Sequence, residues 1–205
     1  MTGPFPGMCT APATPPVFDA LGSGGSGSAV GSFTWTHSAA NGAYAVAFVV
    51  SGTTVTSVNY GGSHAMTDLG SIGLNNNGSS FGYIYMWGLA SPPTGSQTLT
   101  ATLGSSTFTS VGNSVSYTNV TSAGTVSTGY GLGGPMTQTQ ACPWGQLVVH
   151  GFGTAATVLA YSGGTERYSA HASYSLLIQD TVVPVTFAAS LTSAAAWAGI
   201  GVVLL

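Results

Sequence analysis

The feature that most restricts how this chain folds is a two-residue rhythm of apolar and small polar side chains. It recurs in short runs and never gives way to a helical period. In SFTWTHS (32–38), Phe33, Trp35 and His37 share one face while Thr34 and Thr36 take the other. The Asn41-Gly42 pair marks a tight turn. Beyond it, AYAVAFVV (43–50) sets Tyr44, Val46, Phe48 and Val50 against small Ala43, Ala45 and Ala47. SQTLTATL (96–103) alternates Leu99, Ala101 and Leu103 with threonines, whereas FGYIYMWGLA (81–90) is apolar on both faces and predicts a central strand. Residues 55–62 read as strand then turn, and further strands are expected near 108–120, 145–152, 156–161, 172–180, 184–191 and 196–205. Gly, Pro, Asn and Ser clusters separate these runs at short intervals. An all-β fold is expected, specifically a β-sandwich over 29–205.

The first 28 residues differ in composition. Pro4, Pro6, Pro12, Pro15 and Pro16 favour an extended path, and LGSGGSGS (21–28) reads as a flexible hinge. An extended N-terminal arm (1–28) is therefore expected, with residues 1–20 disordered in isolation and ordered against a neighbour. GSGGSG (22–27) matches a dinucleotide-binding fingerprint, but that motif needs a strand before it and a helix after it. Neither pattern is present, so no cofactor follows from it. The N-terminus has no basic and apolar leader pattern, so no export signal is read there. The run AAAWAGIGVVLL (194–205) is too short to span a bilayer and predicts a buried last strand. No membrane insertion is expected.

Only 2% of the 205 residues are charged, against roughly 25% in ordinary globular chains. One basic residue, Arg167, cannot neutralise a phosphate backbone, which excludes nucleic acid as a partner. A surface so poor in ions resists association weakly and suits a protein packed against copies of itself or a larger body.

The same scarcity argues against catalysis. No serine follows an expected strand in a nucleophile-elbow pattern. Glu166 and Asp180 lie about a strand apart, but Arg167 beside Glu166 suggests an ion pair at a hairpin tip instead of an acid–base couple. His37, His64, His150 and His171 are scattered without metal-ligand spacing, and Asp68 has only the 75–77 asparagines near it, so neither zinc nor calcium is expected. His37 and His150 are expected to be buried or half-buried. Phe81, Tyr83, Tyr85 and Trp87 fall on one face of the 81–90 strand. Three roles stay open for Tyr83, Tyr85 and Trp87: filling the core, anchoring a protein interface, or stacking on sugars. Cys9 and Cys142 would remain thiols in a cytoplasmic product. In a particle that meets oxidising conditions, a late cross-link between them would tie the arm to the 141–144 loop.

Several segments together resemble one family. Val58-Asn59-Tyr60-Gly61-Gly62 followed by Ala65-Met66-Thr67 is similar to a "VTYGG…AMT" signature. Trp87-Gly88-Leu89 with Ser91-Pro92-Pro93-Thr94-Gly95 is similar to "WYL…PPxGTQTVT". Val115-Ser116-Tyr117-Thr118-Asn119-Val120 resembles "VSYTGV", with Asn119 in place of glycine, and residues 197–202 resemble a closing "WAAIAVAL" strand. Taken in order over residues 32–205, they resemble the lectin-like β-sandwich domains of actinobacterial phage structural proteins, minor tail proteins among them, and of some secreted bacterial surface proteins. The resemblance implies a two-sheet antiparallel β-sandwich of the jelly-roll or lectin-like kind and a place in a virion or on a cell surface, and it implies no activity. The expected protein is thus a non-enzymatic virion component made in the host cytoplasm. Its expected partners are other virion proteins, further copies of itself and, as the alternative, a cell-envelope glycan.

Overall fold

The computed structural model describes residues 14–205. It is all-β, and every pairing between strands is antiparallel among these residues. The first ten strands are β1 Val17–Leu21, β2 Gly25–Ser28, β3 Ser32–Ala39, β4 Tyr44–Ser51, β5 Val55–Tyr60, β6 His64–Ala65, β7 Thr67–Gly73, β8 Tyr83–Ala90, β9 Gly95–Leu103 and β10 Thr109–Thr118. The remaining eight are β11 Ala123–Leu132, β12 Met136–Gln140, β13 Leu147–Thr154, β14 Val158–Ser162, β15 Thr165–His171, β16 Ser175–Thr181, β17 Val185–Leu191 and β18 Ala196–Leu204. Helix is confined to a 3-10 turn at Leu74–Asn76 and a single turn at Gly78–Phe81.

The sandwich expectation holds, with four sheets in place of two. They run β3-β9-β5-β6, then β1-β10-β4-β8-β7 with β2 also on β10, then β11-β18-β13-β16-β15, then β12-β17-β14. Three apolar layers separate them. Phe33, Trp35, Leu99, Tyr85 and Trp87 fill the first, Phe48, Met86, Val149, Ile178 and Ile200 the middle one, and Met136, Phe152, Phe187 and Trp197 the third. Both central sheets are therefore covered on both faces. This explains why β4, β8, β13, β16 and β18 are buried along most of their length. On β4 the division read from sequence is the one observed: Tyr44, Val46, Phe48 and Val50 face the middle layer, and the alanines face the first.

Each half of the chain makes its own sandwich. In both, strands taken in order pair first with last and inward from there, the roll-up of a long hairpin that defines a jelly roll.

The arm ends earlier than expected. Residues 17–21 and 25–28 both pair with β10, so the stretch read as a hinge lies inside the sheet of its own chain. The reason is close approach: a Cβ at Gly25 would meet the Thr34 carbonyl and one at Gly22 the Asn113 amide. Those glycines admit a packed strand, where composition alone suggested a flexible linker. The expected disorder of residues 17–20 is corrected accordingly; residues 1–13 lie outside the described part.

Candidate functional site

The aromatic strand resolves into interior. Trp87 lies across from Ala47 and Tyr85 from Val49, and both rings are buried against the alanines of β4. Small residues on one strand make room for large ones on the next, so Tyr85 and Trp87 are not at the surface for a partner or a sugar. Tyr83 is half-buried against Tyr85, and Phe81 belongs to the helical turn before the strand.

His37 is buried in a directed chain of hydrogen bonds. Trp35 Nε1 donates to Ser114 Oγ (2.9 Å), and Ser114 Oγ lies 2.9 Å from His37 Nδ1. His37 Nε2 lies 2.9 Å from Ser116 Oγ, which donates to Asp19 Oδ2 at 2.7 Å. The one assignment in which each group donates once puts the imidazole proton on Nε2, with the ring neutral. Burial lowers the His37 pKa, partly offset by Asp19. The carboxylate, half-buried at the end of the chain, reaches the serine and not the histidine, so the chain ties β1 to β3 and β10. His150, fully buried, stacks on Phe187 and bonds Gln138 at 3.0 Å; burial pushes its pKa down to about 3. His64 and His171 are exposed, and no cluster able to hold a metal exists among the described residues. Cys142 is buried, its thiol 3.4 Å from the Gln146 carbonyl; Cys9, and with it the expected cross-link, lies outside the described residues.

One pair of the remaining charges lies where the halves meet. Arg167 pairs with Asp180 at 2.7 Å, not with Glu166 as the sequence suggested. A β-bulge between Glu166 and Tyr168 is the cause: Arg167 is the extra residue. Its guanidinium lies 3.9 Å over the Phe18 ring, and the Tyr117 hydroxyl donates to the same Asp180 oxygen at 2.8 Å. Burial first, and then Asp180, hold the Tyr117 hydroxyl well above its usual pKa. Glu166 sits instead beside Tyr161 of β14, raising that phenol's pKa. The two carboxylates thus serve opposite faces of one sheet and cannot flank a substrate bond.

Beside the pair opens a cleft of about 570 Å³, walled by Val17, Phe18, Leu147, Val182 and Val183 with Arg167 and Asp180 among them. No histidine lines it. Asp180 is already engaged by two donors, so the cleft offers an apolar wall and a fixed charge pair, the chemistry of binding. Elsewhere the surface carries scattered apolar side chains, with Trp144 92% exposed at the β12–β13 turn and Leu132 64% on β11. Sequence reading missed the cleft because its walls come from strands far apart in the chain.

No family model, curated protein or solved structure matches this chain. No helix among the described residues is long and apolar enough to cross a membrane.

Proposed function

We propose that this chain is a non-catalytic structural component of a bacteriophage particle, a minor tail protein in preference to a capsid decoration protein, held there by contacts with other virion proteins and with its own copies. The observation that carries the reading is the surface. One ion pair serves the described residues, and it is turned toward the junction of the halves, so attachment must rest on apolar burial and backbone hydrogen bonds. The exposed apolar groups Trp144, Leu132, Val182 and Val183 supply such contacts. The ordered motifs between Tyr60 and Trp197 agree with a phage structural domain. The test is to purify particles, wash them in high salt and probe for the protein. Retention is expected, because screening weakens exposed charge pairs far more than apolar contacts. Release of most copies by salt refutes this mode of attachment, and absence from unwashed particles refutes the virion assignment.

A second reading, a glycan-binding or adhesive module, draws on a shallow depression on the outer face of the last sheet. There half-exposed Tyr161 stands among Ala160, Ser162, Ala188 and Ser190. An exposed aromatic face among small residues, two of them serines, suits sugar stacking. Tyr161→Ala should then abolish retention on bacterial envelope fragments while leaving the fold intact.

A further inference from the structure

The two halves repeat each other pair by pair. Phe33, Trp35 and His37 lie opposite Ala101, Leu99 and Gln97; Met136, Gln138 and Gln140 lie opposite Ala189, Phe187 and Val185. Tyr44 opposes Tyr117 as Leu147 opposes Leu204, and Phe48 opposes Met86 as Gly151 opposes Ile178. A single displacement along the chain carries residues 33–60 onto 136–163 with no gap. The irregularities repeat too. The bulge between Val55 and Ser57 returns between Val158 and Ala160, and the one between Asp68 and Gly70 between Glu166 and Tyr168. The shift between Phe18 and Ala20 has its counterpart between Ala123 and Val126. Turn bonds agree as well: Ala43 N to Ala40 O matches Gln146 N to Pro143 O, and Gly104 N to Thr54 O matches Thr192 N to Thr157 O. Bulges at equivalent places are not required by a sandwich, so chance convergence on three of them is a poor account.

The halves also meet reciprocally. β18 lies on β7 and β8, and β10 lies on their counterparts β15 and β16; β4 touches β16 as its counterpart β13 touches β8. When residue i of one body meets j of the other and j meets i, the contact is of the two-fold kind found in symmetric dimers. On such an axis a position meets its own counterpart. Phe48 does so: a Cβ placed on Gly151 would come 2.5 Å from the Phe48 ring, and one on Gly153 would come 2.9 Å from Val50, its counterpart. Large faces glycine at both positions. Two copies of the first half could not meet this way, since Phe48 would face Phe48.

We propose that this chain is a fused pair of jelly-roll units, residues 17–118 and 122–205, whose shared face is a self-sufficient docking surface. The partner it fits is the complementary unit, whether from its own chain or from a second copy. The three-residue connector 119–121 keeps the pair together without creating the contact. Unit exchange between copies then gives this protein a way to oligomerise with no new interface, independently of whether it resides in a virion.

The experiment uses the full chain with a protease site inserted after Val120. After cleavage the two units should co-elute at the unchanged mass, in 1 M salt as in low salt. Two nicked preparations, one tagged at its N-terminus and the other isotopically labelled, should exchange units when mixed after partial unfolding and refolding, so that labelled C-terminal units are captured with the tag. Gly151→Phe alone should make the nicked units separate. Combining it with Phe48→Gly, which swaps knob and hole across the axis, should restore co-elution. Separation of the nicked wild-type units without denaturant overturns the proposal, as does failure to exchange. A double swap no better than the single variant overturns the two-fold relation, and a single variant that fails to fold intact leaves the nicking and exchange arms to decide.

Discussion

At the residue scale, the few charges are placed by irregular backbone. Asp19 and Arg167 each occupy the extra residue of a bulge, where the strand's alternation slips and a side chain is re-aimed. Asp19 gains the Ala40 amide and Ser116; Arg167 gains Asp180. Nearly buried, Asp180 depends on its two donors. Asp180→Ala should cost about 3–5 kcal/mol, because it strands a guanidinium and the Tyr117 hydroxyl. Arg167→Met with Asp180→Leu together should cost less than the single change, since no uncompensated charge remains. Urea unfolding of the three variants checks this, and a double variant as weak as the sum of its parts would refute it. Trp87 behaves differently. Its indole Nε1 has no partner among the described residues, so the ring contributes by packing. Trp87→Ala should lose ~3–5 kcal/mol, whereas Trp87→Phe should keep most of the stability because it also removes an unsatisfied donor. A folded, fully soluble Trp87→Ala protein would argue that this face is not core.

At the element scale, the decisive strand is the one composition disguised. β1 supplies Phe18 to Tyr117 and Arg167, and Asp19 to the His37 chain, so it closes the first half and walls the junction cleft. Hydrogen exchange on the isolated monomer should find the backbone of 18–21 protected. Exchange at the rate of an unfolded peptide would return β1 to the arm. Some strands declared themselves in sequence and others did not, for a physical reason. β3 and β9 alternate apolar with polar residues, and β4 alternates large with small ones. β7, TDLGSIG, carries two glycines and a bulge that breaks the phase, and β2 is entirely Gly and Ser. Local pattern fails wherever pairing, not side-chain burial, holds the strand.

At the scale of the whole molecule, the two enclosed histidines couple stability to pH. His150 is held neutral with its pKa near 3 and His37 is lowered as well, while both titrate near 6.5 when unfolded. Below 6.5 the unfolded chain binds more protons than the folded one. Stability is therefore full above that value and falls as the pH drops, by up to about 1.4 kcal/mol per pH unit for each histidine, with the His150 contribution exhausted near pH 3. Denaturation midpoints from pH 7.5 to 4.5 should show the slope, and His150→Gln should flatten it. An unchanged slope in that variant would remove His150 from the account.

The chain's own sequence determined that it is all-β, that β8 is central, that His37 and His150 are buried or half-buried, and that ionic chemistry is scarce. These follow from alternation, turn residues and counts, which act over a few neighbouring positions. Only tertiary structure decided that there are four sheets and two matching halves. It also decided that Arg167 turns from Glu166 to Asp180, and that a cleft opens where Val17 meets Val182. Strands distant in the chain pair by backbone hydrogen bonds, which carry no residue signature. A bulge shifts the phase by one without changing composition. The halves therefore share register and irregularities while sharing few residues, so their likeness is a property of pairing that no local reading of side chains contains.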